Sequence, residues 1–253
     1  MLIAVSGAWR EAFLAFAGLG AGLVNGVAGG GTLVSFPVLL ALGLPAIRAN
    51  VTSTIGIWPG YLGGVAGFRR EIGDQLDRLR ELAPVAAAGG VAGAVLLLVT
   101  PSDAFSRAAP YLVLLACVLF ALQPVLAKRL AEAPGTQRRF LAQSGTFVAC
   151  VYGAYFGAGL GVLLLAILGI AIPDRLIRTS GLRSMLSLGV NTIAAIAFAV
   201  AAHVAWSDAG VLAVTSLVGG YAGARFVRRV PAGPLRVLII LIGLAAAARL
   251  IAG

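Results

Sequence analysis

The chain has 253 residues, of which 60% are hydrophobic and only 11% are charged, and its formal net charge is +10. This composition excludes an ordinary soluble domain and is typical of an all-α polytopic membrane protein. In a soluble chain such a charge would suggest a nucleic-acid partner. Here the basic residues lie in short segments between apolar stretches, so they indicate orientation in a membrane. We therefore expect the lipid bilayer as a partner, and no nucleic acid.

The first long apolar stretch, residues 12–47, contains no charged residue and is interrupted by Gly29, Gly30 and Gly31. One membrane-spanning helix needs about 20 apolar residues and two need about 40, so this stretch falls between the two. It predicts two short half-helices that meet at the glycines, either as a re-entrant pair or as two short spans. Irregular backbone at membrane depth is tolerated only where it is buried in protein or lines a cavity. The glycine break is therefore the first candidate site.

The remaining charges divide the chain into further spans. Three predicted spans follow the first break, at 49–68, 82–102 and 108–127. A second uncharged and overlong stretch covers 140–173, and three more spans follow at 184–207, 209–224 and 235–251. We interpret residues 1–127 as a first transmembrane repeat, 128–139 as a cytoplasmic connecting loop and 140–253 as a second repeat.

A constant offset of 130 residues relates the two halves. It places Gly29 and Gly31 over Gly159 and Gly161, and Arg48 over Arg178. Without a gap, the same offset places the segment 89–94 (GGVAGA) over 219–224 (GGYAGA). The chain is thus predicted to contain two copies of one unit, each with a broken-helix hairpin followed by three transmembrane helices.

The basic residues favour a topology in which each broken segment returns to its starting side. With that topology, 15 of the 19 basic residues fall on one face, which the positive-inside rule identifies as cytoplasmic. The four left on the other face are Arg10, Arg48, Arg107 and Arg249. Both termini are then extracytoplasmic, and the second repeat is inverted relative to the first. Inverted repeats with interrupted helices are the architecture of secondary transporters, which bind substrate near the breaks.

Half-helices that begin at Gly31-Thr32 and Gly161-Val162 would present free N–H groups and a positive dipole end, and both suit an anion. Few polar side chains lie at membrane depth, so each is a functional candidate. The predicted substrate-binding residues are Asn25, Gly29, Gly30, Gly31, Thr32, Thr52, Ser53, Gly159, Gly161, Ser184 and Asn191.

Other polar and glycine positions have simpler interpretations. Arg183 is taken to lie at the cytoplasmic edge of a span, where it either attracts anions or, in the preferred interpretation, follows the orientation rule. Gly89, Gly93, Gly219 and Gly223 are interpreted as helix-packing positions. All nine carboxylates fall in loops or at span ends, so the sequence predicts no catalytic carboxylate pair, no metal site and no cofactor. An intramembrane enzyme, with Ser53 or Ser184 as nucleophile, is the disfavoured alternative because no histidine lies nearby.

These motifs resemble the TauE/SafE family of sulfite exporters over nearly the whole chain. The similar features are the glycine break, Pro37, the polar cluster 50–54 (NVTST) and the second-half segments GAYFGAGLGVLLLAILGI and LRSMLSLGVNTIAAIAF. The resemblance implies a cytoplasmic-membrane transporter for small sulfur-containing or organic anions, which exports sulfite or sulfoacetate-like substrates. Uptake by the same fold is the alternative, and glycine-rich faces would permit a homodimer. The halves differ at two sites, because Ile167 replaces Pro37 and Arg183 replaces Ser53.

Overall fold

The computed structural model of the chain describes residues 7–27, 29–131, 138–172, 174–226 and 232–252. Within these ranges the backbone forms eleven α-helices and no strand, which confirms the all-α prediction. The helices of the first half are α1 (Gly7–Val27), α2 (Thr32–Ala41), α3 (Ala46–Gly67), α4 (Arg69–Gly73), α5 (Leu76–Val99) and α6 (Ser102–Ala131). Those of the second half are α7 (Arg139–Phe156), α8 (Leu160–Ala171), α9 (Leu176–Ala201), α10 (Trp206–Phe226) and α11 (Ala232–Ala252).

Helix lengths and exposed apolar side chains agree with a multi-pass membrane protein. Among the described helices, three segments are long and apolar enough to cross a membrane: Leu76–Val99, Ser102–Leu122 and Ile177–Ala201. Three shorter apolar segments accompany them in α2, α8 and α11. Large apolar side chains cover the outer side of α5, where Val91 is 51% exposed and Val99 is 69% exposed. Such a surface is stable against lipid and would be unfavourable in water.

The two broken segments are less symmetric than the sequence predicts. The first consists of a 21-residue helix, α1, followed by a 10-residue helix, α2, instead of two short half-helices. α1 extends beyond the N-terminal limit of the uncharged stretch, because it begins at Gly7 and includes Arg10 and Glu11. The second segment has 18 residues in α7 and 12 in α8. Each break therefore joins a long arm to a short one.

Ion pairs join the helices at both ends of the bundle. At the end that we call the Asp208 end, Arg10 of α1 donates to both carboxylate oxygens of Asp208 at the start of α10, at 2.5 and 2.7 Å. At the opposite end, the Asp174 end, Asp174 pairs with Arg78 and Arg178. Burial raises the pKa of Asp174, but hydrogen bonds and the two arginine charges outweigh this effect. The pKa therefore lies below the ordinary value of a carboxyl group.

Both broken segments return to the end at which they begin. At the Asp174 end, the N–H of Arg138 donates to the carbonyl of Ala171 at 2.9 Å, so the start of α7 and the end of α8 are adjacent. α1 begins at the Asp208 end. The segment after α2 lies at the same end, because Arg48 at the start of α3 shares a cavity with His203, which precedes α10.

Helices of one half pack on helices of the other half, and the pattern of these contacts repeats. α1 packs on α10 and its counterpart α7 packs on α5; α3 packs on α10 and its counterpart α9 packs on α5. Likewise α2 packs on α11, and α8 packs on α6. Each of these contacts has an equivalent when the helices of one half are replaced by their counterparts in the other. The 130-residue repeat in the sequence is thus matched by a repeat in the packing.

Glycines make the closest of these helix contacts. A Cβ atom on Gly93 would lie 2.1 Å from the carbonyl oxygen of Val151, and one on Gly219 would lie 2.1 Å from that of Leu19. Neither distance is compatible with a side chain, so α5 contacts α7, and α10 contacts α1, through bare backbone. The interpretation of these glycines as packing positions is confirmed.

Candidate functional site

The first break is held in shape by a buried asparagine. α1 ends at Val27 and α2 begins at Thr32, with Gly31 as its N-cap. The side-chain oxygen of Asn25 accepts a hydrogen bond of 2.7 Å from the Gly31 N–H, which compensates for one of the unpaired donors at the helix start. Gly29 has a φ of 76°, a left-handed conformation in which a Cβ atom is unfavourable.

The second break uses two glycines in the left-handed region. Gly157 has a φ of 82° and Gly159 a φ of 85°, and α8 begins directly afterwards at Leu160. The N–H groups of Val162 and Leu163 both donate to the carbonyl of Gly159 at 3.0 Å. The reversal of the chain therefore needs glycine at both positions.

The two breaks touch each other in the interior of the bundle. The N–H of Gly161 donates to the carbonyl of Gly29 at 3.1 Å, and a Cβ atom on Gly29 would lie 2.8 Å from the Gly161 Cα. This contact corrects one expectation from the sequence. The N–H groups of Gly31 and Gly161 are not free to bind an anion, because Asn25 and Gly29 already accept them.

Arg183 supplies the positive charge at this meeting point. It lies seven residues inside α9, about 10 Å from the helix start, and is only 2% exposed. Its Nη2 donates to the neighbouring Ser184 hydroxyl at 3.3 Å, but Nε and Nη1 have no hydrogen-bond partner in the described part of the protein. A Cβ atom on Gly29 would lie 2.9 Å from Nη1, so the guanidinium is directed at the first break. The assignment of Arg183 to a span edge is wrong.

A small cavity lined by buried residues lies beside this guanidinium. Its volume of about 10 Å³ has room for roughly one water molecule. Arg183 is the one charged side chain among the described residues that line it, which are Asn25, Gly29, Tyr61, Gly64, Arg183, Ser184 and Ser187. The Nδ2 of Asn25 and the hydroxyl of Ser187 also lack partners within the described structure. The cavity thus combines a buried cation with unused polar atoms, which is the environment that a small anion requires.

Some of the predicted site residues come together here. Asn25, Gly29 and Ser184 line the cavity. Gly31 and Gly161 are hydrogen-bonded to cavity residues, as described above. Asn191 lies one turn beyond Ser187, where its Nδ2 donates to the Ser187 carbonyl at 2.9 Å.

The other predicted residues make contacts elsewhere. The Thr52 hydroxyl accepts the N–H of Ala205 at 3.1 Å, close to the Asp208 end. The Ser53 hydroxyl lies 2.6 Å from that of Ser35. The last three predicted residues face neighbours outside the cavity: Thr32 faces Gly157, Gly30 faces Phe120, and Gly159 faces Ala116 and Leu119.

The predicted set of substrate-binding residues does not include Arg183, Tyr61, Gly64 or Ser187. A signal for Arg183 was present, because the 130-residue offset places it over Ser53, inside a predicted span. Tyr61 and Gly64 carried no such signal, since an aromatic residue and a glycine in an apolar span are typical of packing. Ser187 likewise reads as a hydroxyl that bonds its own helix.

Two larger cavities open at the Asp208 end but contain no residue of either break. One, of about 380 Å³, is lined by Arg48 and His203 among others; the other, of about 390 Å³, is mostly apolar and includes Arg249. All three of these side chains are exposed, so solvent compensates the charges of the two arginines. In the described part of the chain, no group of three or more His, Cys, Asp or Glu side chains could hold a metal ion.

Known proteins match the chain over nearly its full length. The family described as "Sulfite exporter TauE/SafE" matches residues 14–250. The "Probable membrane transporter protein ORF9" of a Sinorhizobium species is 25% identical over 95% of this chain and 92% of its own length. The "Probable membrane transporter protein YfcA" of Escherichia coli K12 is 24% identical over 94% and 88%. A "Probable membrane transporter protein" of Haemophilus influenzae is 22% identical over 95% and 94%.

No solved structure matches the chain. The family match, over residues 14–250, includes both breaks and every residue that lines the cavity. With its all-helical architecture and its relatives named as membrane transporters, the chain belongs to the TauE/SafE sulfite exporter family of membrane transporters.

Proposed function

We propose that this protein is a secondary transporter that moves small sulfur-containing or organic anions out of the cell across the cytoplasmic membrane, with sulfite and sulfoacetate as the first candidates. One observation carries the proposal: the Arg183 guanidinium is 2% exposed, lies where the two breaks meet, and has no carboxylate among the described residues that line the cavity. A buried cation without a counter-charge is strongly unfavourable. A transported anion supplies that counter-charge.

The chemistry of the cavity favours an oxyanion. The unpaired Nε and Nη1 of Arg183 are planar donors that match the oxygens of sulfite, a sulfonate or a carboxylate. The Nδ2 of Asn25 adds a third donor. Sulfite is larger than the single water that the cavity admits, so binding requires the helices around the breaks to separate.

The repeated pattern of helix contacts between the two halves supports alternating access. Two related halves that can exchange roles at one central site offer two equivalent ways to open it, one to each side. We propose that the second half is inverted relative to the first, that both termini are extracytoplasmic, and that the Asp174 end faces the cytoplasm. The basic residues at that end support this orientation.

The outward direction is supported by two arguments. The family that matches the chain is described as sulfite exporters. A membrane potential that is negative inside also favours the exit of an anion, by about 2.3 kcal/mol per charge per 100 mV. Uptake through the same site is the alternative, and the assay below separates the two when the gradient and the potential are reversed.

The proposal is tested by flux of ³⁵S-sulfite and of labelled sulfoacetate from proteoliposomes that contain the purified protein. We expect efflux above that of protein-free liposomes, and a much lower rate of efflux in Arg183→Gln. Arg175→Gln is the matched control, because it removes the same charge from an exposed residue at the start of the same helix. Equal flux in the wild type and in Arg183→Gln would refute the role of the buried guanidinium. A lack of flux for both anions in either direction would refute the substrate class.

A further inference from the structure

When no anion is bound, the cavity beside Arg183 contains the charge of its guanidinium. No carboxylate in the described structure is placed to neutralise Arg183. Asp174, Asp208 and Glu81 are paired with other arginines at the ends of the bundle. Glu71 packs against Gly181. Gly181 is two residues from Arg183, so the two lie on different faces of α9.

Alternating access requires the site to be closed to both sides in the middle of each passage. With an anion bound, this closed state contains a neutralised pair. With the site empty, the same closed state buries a lone guanidinium, and leaving one member of a buried ion pair without its partner is strongly unfavourable. The loaded protein and the empty protein therefore face very different barriers to the same movement.

We propose that this protein is an anion exchanger: after it releases one anion, it returns across the membrane with a second anion bound to Arg183. This inference rests on the proposed function. It assigns a second substrate, a small oxyanion of the same class on the opposite side of the membrane, which could be sulfite itself. Exchange of two anions of equal charge moves no net charge, so the concentration gradients of the two anions then set the direction in place of the membrane potential.

The experiment compares two modes of ³⁵S-sulfite efflux from the same proteoliposomes. In the exchange mode the external medium contains unlabelled sulfite; in the net mode its only external anion is dextran sulfate, a polymer too large to enter the site. Equal potassium on both sides with valinomycin holds the potential at zero, so charge accumulation limits neither mode. We expect exchange to be faster than net efflux by about 100-fold or more, given the barrier to closing over an unpaired charge.

Two variants separate this explanation from a structural role of the arginine. Arg183→Lys keeps the charge, so exchange should stay much faster than net efflux even where both rates fall. Arg183→Gln removes the charge, so the ratio of its residual rates should fall towards one. A ratio that stays as high in Arg183→Gln as in the wild type would refute the inference, because the barrier would then have another cause.

The wild-type measurement alone is sufficient if Arg183→Gln does not fold. Equal rates in the two modes would refute exchange while leaving anion transport established. No flux in either mode, with sulfite or with sulfoacetate as the labelled anion, would refute the proposed function and the exchange inference with it. Fast exchange with slow net efflux supports both.

Discussion

Alanine at Gly29 and alanine at Gly43 form a matched pair of perturbations. Both glycines have positive φ, 76° and 90°, so a Cβ atom at either position costs about 1–2 kcal/mol in backbone strain. Nothing lies within 4 Å of a Cβ atom on Gly43. A Cβ atom on Gly29 would lie 2.8 Å from the Cα of Gly161 and 2.9 Å from Nη1 of Arg183. The pair therefore isolates the contact between the two breaks.

The extra contact at Gly29 raises its expected cost. Overpacking against atoms that cannot move freely adds about 1–3 kcal/mol to the strain. We expect Gly29→Ala to lower the free energy of unfolding by about 2–5 kcal/mol in total and Gly43→Ala by about 1–2 kcal/mol. At about 2–4 °C per kcal/mol for a chain of this size, Tm should fall by roughly 4–20 °C and 2–8 °C respectively.

The assay is the fraction of monodisperse protein left in detergent after heating, measured over a temperature series. Sulfite flux provides a second readout, which Gly29→Ala should lose and Gly43→Ala should keep, because only Gly29 contacts Arg183. Equal falls in Tm for the two variants would mean that the breaks are not in contact, and the site as described would be incorrect.

Three further predictions concern the ends of the bundle and its packing. Arg10→Gln should lower Tm more than Asp208→Asn. It leaves the Asp208 carboxylate, which is 2% exposed, without a partner, whereas Arg10 is 34% exposed and can turn to solvent. Equal falls in Tm would contradict this explanation. Asp174 has a lowered pKa in the folded state, so its stabilisation is complete above about pH 4 and is lost as the pH falls through the folded value. The Tm difference between wild type and Asp174→Asn should therefore shrink as pH falls from 7 to 3, and a constant difference would be inconsistent with the ion pair. Gly93→Ala should reduce the yield of folded protein, whereas Gly189→Ala, with nothing within 4 Å of the new Cβ atom, should leave it unchanged or raise Tm.

Much of the architecture follows from two simple properties of the sequence. Uncharged stretches of intermediate length, each interrupted by glycines, predict the two breaks, and the structure places the described residues of these breaks at 29–31 and 157–159. The constant offset between the halves predicts the repeated helix order. Both properties are local or periodic, so they can be recognised without knowledge of tertiary contacts.

The features that the sequence did not predict depend on partners distant in the chain. α1 continues through Arg10 because Asp208, 198 residues away, neutralises that charge. A charged residue normally marks the end of a span, so the sequence places Arg183 at a span edge. In the structure it is buried and lies seven residues inside α9. In both cases a rule based on one residue's own polarity failed, since burial of a charge is decided by the environment that the rest of the fold provides.

The packing of each half on the other also affects the stage of synthesis at which the protein can assemble. During synthesis, α3 and α5 are complete long before α7, α9 and α10, the helices on which they pack. At about 5–20 residues per second, the roughly 130 residues between equivalent helices take on the order of 10 s to make. Over that interval the bare glycine faces of the first half have only lipid or cellular insertion factors as neighbours. In the described structure the most extensive helix contacts join the two halves, so the bundle is completed late, after the second half has been made.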